Sequence, residues 1–352
     1  MKKITVFLGG YVNVTNAQNL NCRSIAEHLD KDKFNVLCMS LYSGKLTPLK
    51  GFGIKVFHCF YPFKISTHIA YFKGVVFSEI VFLPKLGVPF FVLPLIKLLG
   101  RKSFVTVEGV LEKTNLEKIL KYFSSTKNIR NYYDSFTESF SITSFMRKKN
   151  YEKLQLKTSK ETLYLGVESS DFSYSEKKKL TDIVIIANNL FYKGYKDFFY
   201  LASKFSNLNF HIVGSANGLM SVEDEIETKK LLNITFHKQL NHLELNQLLQ
   251  KVQLHVFPSR SEGFPKVLLE TACAGVTSLI YSDYGASEWI THEKDGFIVE
   301  TLDEMEKIIR ELQYDSTILT YVSANAIQLG ESFDWKVKIK EWEKVLINLS
   351  NL

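Results

Sequence analysis

The residues best suited to chemistry lie in one run, 257–270, which reads FPSRSEGFPKVLLE. It opens at the end of an apolar stretch and turns helical at Pro265, a residue that fits a first helical position because the N–H it lacks would have no partner there. Gly263 lets the backbone come close to a ligand. The amides of Lys266 and Val267, with the dipole of the helix start, would form a site for an anion such as a diphosphate. Glu262 stands in the loop, level with such a ligand. Glu270 lies further along the helix, but helical side chains lean back toward the N-terminus, so its carboxylate can reach a vicinal diol such as a ribose. The same letters also suit an ordinary helix start followed by a solvated Glu270.

An alternation of strands and helices has to hold this run in place. Apolar, β-rich runs fall at residues 4–8, 34–41, 54–60, 80–83, 103–107 and 139–143, with helical spacing over 16–29 and 89–99. A polar, lysine-rich stretch over 169–180 reads as a linker. The alternation then resumes, with strands at 182–187, 208–213, 234–236, 252–257 and 276–281, and helices at 195–205, 222–231, 243–251 and 265–274. An amphipathic helix over 335–349 ends the chain. Short β-rich runs between helices imply parallel sheets covered on both faces. The expected fold is α/β, with two Rossmann-like, doubly wound domains facing across a cleft and ligands at the carboxyl ends of the strands. The expected first domain is 1–168, completed by a C-terminal helix over 334–352, and the second is 181–333.

Composition bounds the function. The chain has 352 residues, 45% hydrophobic and 23% charged, which excludes the disordered, collagenous and coiled-coil classes. A net charge of +7 suits contact with phosphates or an acidic membrane surface, and equally a plain lysine-rich surface. Cys22, Cys38, Cys59 and Cys273 have no metal spacing, and so few cysteines in a large chain fit the cytosol. His211, His237, His255 and His292 are scattered and no Asp-x-Asp closes a strand, so no metal site is expected. The fingerprint G-x-G-x-x-G is absent after the first strand, which argues against a dehydrogenase. Residues 1–10 read as a strand rather than a signal peptide. Glu79, Lys85 and Lys97 break the apolar stretch 75–99, so it is not a bilayer span. Residues 89–102, apolar with a basic end, suit either a buried helix or a peripheral contact with an anionic inner leaflet.

Pro258-Ser259, two residues, Glu262-Gly263-Phe264-Pro265, then Leu268-Leu269-Glu270 and a small-residue run into Gly275 resemble the Glu-x7-Glu signature of glycosyltransferase family 4. That family comprises retaining, nucleotide-sugar-dependent enzymes of the GT-B fold. Residues 210–214, 234–240, 283–288 and 295–299 resemble further family segments, as do Gly166-Val167-Glu168 and Phe333-Asp334-Trp335. The resemblance covers most of the chain and is weakest over about 41–99. It implies that Glu262 bonds the donor sugar near its 3- and 4-hydroxyls, and that the amides of Gly263, Phe264 and Lys266 hold sugar and phosphate oxygens. Glu270 would hold the ribose, and Lys193 would neutralise the diphosphate, the leaving group. Gly9 and Gly10 match a glycine loop beside the donor, Gly214 ends a strand, and Leu240 lies in the turn beside the base.

Two positions depart from the family pattern. Asn188 stands where an arginine is usual, leaving one phosphate cation missing, and Arg260 beside the glutamate loop is the candidate to replace it. Glu108 stands where a histidine usually meets the donor sugar. The resemblance implies retaining transfer from a UDP- or GDP-linked sugar to an acceptor hydroxyl, without a cofactor or nucleic acid. The acceptor would be a glycan or lipid-linked glycan of a bacterial capsule or lipopolysaccharide, and the setting the cytoplasmic face of the membrane. Two other readings are a sugar-nucleotide epimerase on the same fold and a non-catalytic GT-B scaffold that binds a nucleotide sugar or glycan.

Overall fold

The computed structural model describes the chain except for residues 1, 48, 50, 85, 86, 112, 188, 189, 191, 192, 215–229, 261 and 283. It divides into two compact units, Met1–Leu165 with Trp335–Leu352, and Gly166–Asp334.

In chain order the first unit contains β1 (Ile4–Tyr11), α1 (Ala17–His28), β2 (Phe34–Leu41), β3 (Ile54–Cys59), α2 (Phe63–Phe77), β4 (Ile80–Phe82) and α3 (Val92–Leu98). It continues with β5 (Lys102–Val107), α4 (Lys113–Phe123), α5 (Thr126–Asp134), β6 (Glu138–Ser141) and α6 (Ser144–Leu154). The strands form one parallel six-stranded sheet in the order β3-β2-β1-β4-β5-β6. Strand order reverses between β1 and β4, the place where open α/β sheets bind ligands. Gly9 and Gly10 occupy the end of β1 at this point. A Cβ on Gly10 would come within 2.6 Å of Cys22 Sγ on α1, so glycine is what allows this helix to seat against the strand.

The second unit contains β7 (Asp182–Ile186), α7 (Tyr195–Lys204), β8 (Asn209–Val213), β9 (Ile234–His237), α8 (His242–Leu249), β10 (Leu254–Phe257) and α9 (Lys266–Cys273). β11 (Thr277–Tyr281), β12 (Phe297–Val299), α10 (Leu302–Tyr314) and α11 (Ser316–Ser332) complete it. Its parallel sheet runs β12-β11-β10-β7-β8-β9, the same winding, with the reversal between β7 and β10. Every residue of β10 and β11 is buried, as a sheet covered on both faces requires. The last helix, α12 (Trp335–Ser350), belongs to the first unit. Trp342 on α12 packs 5.5 Å from Phe82 and 6.2 Å from Phe104, and its indole N–H donates to Tyr164 O at 2.9 Å.

The segment read as a linker lies within the second unit. Its polar groups bind the end of α8: Ser173 N–H donates to Asn246 Oδ1 at 2.9 Å and Ser175 Oγ to Gln250 O at 3.0 Å. Lys177, only 1% exposed, donates to Leu249 O at 2.7 Å. Its polarity thus satisfies helix-end carbonyls rather than water. Sequence periodicity assigns no element to residues 63–77, 113–134 or 302–332, and all three regions are helical. The helix expected over 89–99 is the shorter α3. The one expected over 222–231 falls almost entirely outside the described residues.

Candidate functional site

The reversal between β7 and β10 brings together two loops far apart in sequence. Lys193 follows β7 and Glu262 follows β10, and their side chains form an ion pair. The side chains are 25% and 13% exposed. Ser259 Oγ donates to the same carboxylate oxygen of Glu262 at 3.0 Å. The Lys193 ammonium also lies 5.5 Å from the centre of the Phe257 ring. Burial pushes Lys193 down to about 8, and the adjoining carboxylate works against that fall. The pair is therefore a cation and an anion held at a sheet end with little water between them.

Glycines set the geometry. Gly194 has φ +76°, and a Cβ there would meet Pro258 O at 2.2 Å, so the turn after Lys193 packs directly on the loop that leads to Glu262. A Cβ on Gly285 would lie 2.1 Å from Gly263 O, and Gly285 N–H donates to Glu262 O at 3.3 Å. Phe264 anchors the other side of the loop, with its ring 4.9 Å from Trp289 and 6.1 Å from Phe333. Pro265 proves to be the residue just before α9, which starts at Lys266.

Glu270 is half-buried on α9 and accepts no hydrogen bond among the described residues. Burial raises its carboxyl; the nearby charges of His242 and Lys266 pull it down, and Asp171 pushes it up. His242 is itself held by Asp171, Nδ1 to Oδ2 at 2.6 Å. A carboxylate in this setting has unused acceptor capacity for a neutral donor such as a diol.

The other expected site residues are spread over both units. Gly214 closes β8 with φ +134°, and a Cβ would lie 1.8 Å from Ala187 O. Leu240 directly precedes the capping box of α8 formed by Asn241 and Glu244. Arg260 is exposed and stacks its guanidinium 3.8 Å over the Tyr281 ring, while Tyr281 OH donates to Asp197 Oδ2 at 2.7 Å. Asn188 lies outside the described residues. Gly9, Gly10 and Glu108 belong to the first unit. There Glu108 accepts from Thr106 Oγ1 at 2.9 Å and from Asn21 Nδ2 at 3.5 Å. Sequence reasoning missed Ser259 as a partner of Glu262, Gly285 as the floor beneath Gly263, and the His242–Asp171 pair near Glu270. The run 283–288 was visible only as a resembling segment. Among the described residues, no group of three or more His, Cys, Asp or Glu is placed to hold a metal ion.

Two doubly wound parallel sheets of this kind define a GT-B fold. The solved structure of Anabaena HepE in complex with UDP-glucose superposes with a TM-score of 0.70 at 14% identity, over 99% of this chain and 100% of that one. Residues 167–328 match the family model described as "Glycosyl transferases group 1", a match that falls within the second unit. Over 178 residues the chain is 25% identical to the Campylobacter jejuni N,N'-diacetylbacillosaminyl-diphospho-undecaprenol alpha-1,3-N-acetylgalactosaminyltransferase, covering 47% of this chain and 46% of that protein. Over 103 residues it is 31% identical to an exopolysaccharide phosphotransferase of Streptomyces coelicolor, covering 28% and 11%. The chain thus spans less than half the length of the curated relatives it matches.

Proposed function

We propose that this protein is a retaining glycosyltransferase that moves a sugar from a nucleotide donor, UDP-linked in the first instance, to an acceptor hydroxyl in bacterial surface polysaccharide assembly. The observation that carries this reading is the Lys193–Glu262 pair at the β7/β10 reversal. In this reading the donor diphosphate lies against Lys193 and the start of α9, and the ribose diol bonds Glu270. Glu262, steadied by Ser259, bonds the sugar hydroxyls and offsets positive charge developing at the anomeric carbon. Lys193 stabilises the departing nucleoside diphosphate, a contact that strengthens as the bond breaks and so lowers the barrier. The relative from Campylobacter, named for transfer onto a sugar carried by diphospho-undecaprenol, supports a glycan on a lipid diphosphate as acceptor; we place the reaction at the cytoplasmic face of the membrane.

The test is a thermal-shift screen against UDP, GDP, ADP, CMP and their common sugars. A ligand of the folded state raises the melting temperature by mass action. The expected result is a rise with one nucleoside diphosphate that Glu270→Ala abolishes. No rise with any of them, or a rise that Glu270→Ala leaves intact, overturns the site assignment.

A further inference from the structure

Helix α2 is apolar on two opposite faces. Ser66, Ala70 and Gly74 are buried against the first sheet. On the other side Ile65, Ile69, Phe72 and Val76 recur at spacings of four, three and four, which places them on one face. Three of these stand in solvent, Ile65 60%, Ile69 49% and Phe72 50% exposed. The apolar surface extends through His68, 5.7 Å from Phe91, to Phe90, which packs 6.0 Å from Phe91 and is 89% exposed. Contiguous apolar surface of this kind marks an interaction site rather than scattered exposure.

The charge of the helix and of the sequence that surrounds it is one-sided. Lys64 and Lys73 flank the stripe, one on each side along the helix. Residues 33–107 hold ten Lys and Arg against a single acid, Glu79, an excess larger than the +7 of the whole chain. A second copy docked on this face would bring like charges together, which is unfavourable. An anionic lipid surface complements both features, since the apolar side chains enter the acyl boundary and the lysine stems reach headgroup phosphates. No helix among the described residues is long and apolar enough to cross a membrane. We infer that the outer face of α2 docks the protein on an anionic phospholipid bilayer, lying along its surface. This inference is independent of the donor-site reading.

Flotation of the purified chain with vesicles tests it, using phosphatidylcholine alone and a seven-to-three mixture with phosphatidylglycerol. The expected result is at least tenfold more binding to the mixed vesicles at low salt. An Ile69→Asp, Phe72→Asp double variant should lose at least tenfold of that binding. Lys64→Gln with Lys73→Gln should lose about 30-fold, from roughly one kcal/mol per lysine at such a surface. Because these side chains are exposed, circular dichroism and melting should match the parent in both variants. As a probe that tolerates any weakening, Ile65→Cys carrying an environment-sensitive dye should brighten on mixed vesicles, the four native cysteines being buried. Absence of binding to either vesicle, equal binding by parent and apolar variant, or an unchanged dye overturns the proposal. So does a dimer in light scattering that the apolar variant dissociates.

Discussion

Replacing Lys193 by methionine removes one charge and keeps the length of the side chain. In the parent the ammonium is paired with Glu262 in a site where both side chains are mostly shielded from water. A charge-assisted hydrogen bond to a diphosphate there contributes about 2 kcal/mol, so the variant should bind UDP about 30-fold more weakly. Glu262→Gln should act in the opposite sense. The carboxylate competes for the ammonium and repels the diphosphate, so its removal should tighten UDP binding by about threefold to tenfold, roughly 1 kcal/mol. The same substitution should lower sugar transfer, or donor hydrolysis, by about 100-fold to 1,000-fold, the usual loss for one group aimed at transition-state charge. Protonation supplies a third signature. Lys193 is held down to about 8 by burial, so raising the pH from 7 to 9 should weaken UDP binding in the parent and leave the methionine variant unchanged. Isothermal titration at the two pH values reads all of these binding effects. Methionine-variant binding within twofold of the parent, or weaker UDP binding by Glu262→Gln, would refute the assignment of the pair to the diphosphate.

Two further outcomes follow from packing and burial. Gly285→Ala would push a methyl group onto Gly263 O, which is 2.1 Å from the Cβ position. Overpacking against backbone costs about 2 kcal/mol, so the melting temperature should fall by about 4–8 °C and UDP affinity should fall with it; a variant as stable as the parent would show that the loop yields freely. Burial holds Lys177 down to about 8 against an ordinary value of 10.5. The unfolded chain therefore binds more protons between these values, and stability rises as pH goes from 8 toward 10. The rise is opposed from about pH 9 because burial raises Cys38 and Cys273 from 9.0 to about 12, and the retained protons of Tyr132 and Tyr133, also raised by burial, reverse the slope at higher pH. The gain is about 3 kcal/mol at most, and Lys177→Met should flatten the rise, leaving the part due to Lys193. A denaturant midpoint series at pH 7, 8.5 and 9.5 reads both slopes, and identical slopes in parent and variant would remove Lys177 from the account.

Elements whose signal is local could be read from the residues alone. β10 is a short apolar run punctuated by Pro258, Gly263 and Pro265, so both the strand and the helix start after it are visible in the letters. α2 escaped because isoleucine, valine, phenylalanine and tyrosine suit strands as well as helices, and two apolar faces erase the amphipathic period. The 169–180 segment misled for a related reason. Serines and lysines signal solvent when counted, yet here they cap the carbonyls of α8 and one lysine is buried among them. The Lys193–Glu262 pairing depends on β7 and β10 being neighbours in the sheet, and Gly285 reaches Gly263 from the far side of β11. Neither is a property of spacing along the chain.

Both sheets share one winding, and the contrast at their reversal points carries the argument furthest. In the second unit the loops after β7 and β10 place a cation against an anion, with a further carboxylate on α9. In the first unit the corresponding end of β1 carries two glycines, where added side chains would strike Leu83 at 2.7 Å or Cys22 at 2.6 Å. Its nearest expected acid, Glu108, follows β5 and is already bonded by Thr106. The same topology thus serves two purposes. One sheet end supplies charge, so its substitutions should shift pH profiles and nucleotide affinity. The other seats helix and strand against each other through its glycines, so its substitutions should act through packing and lower the melting temperature.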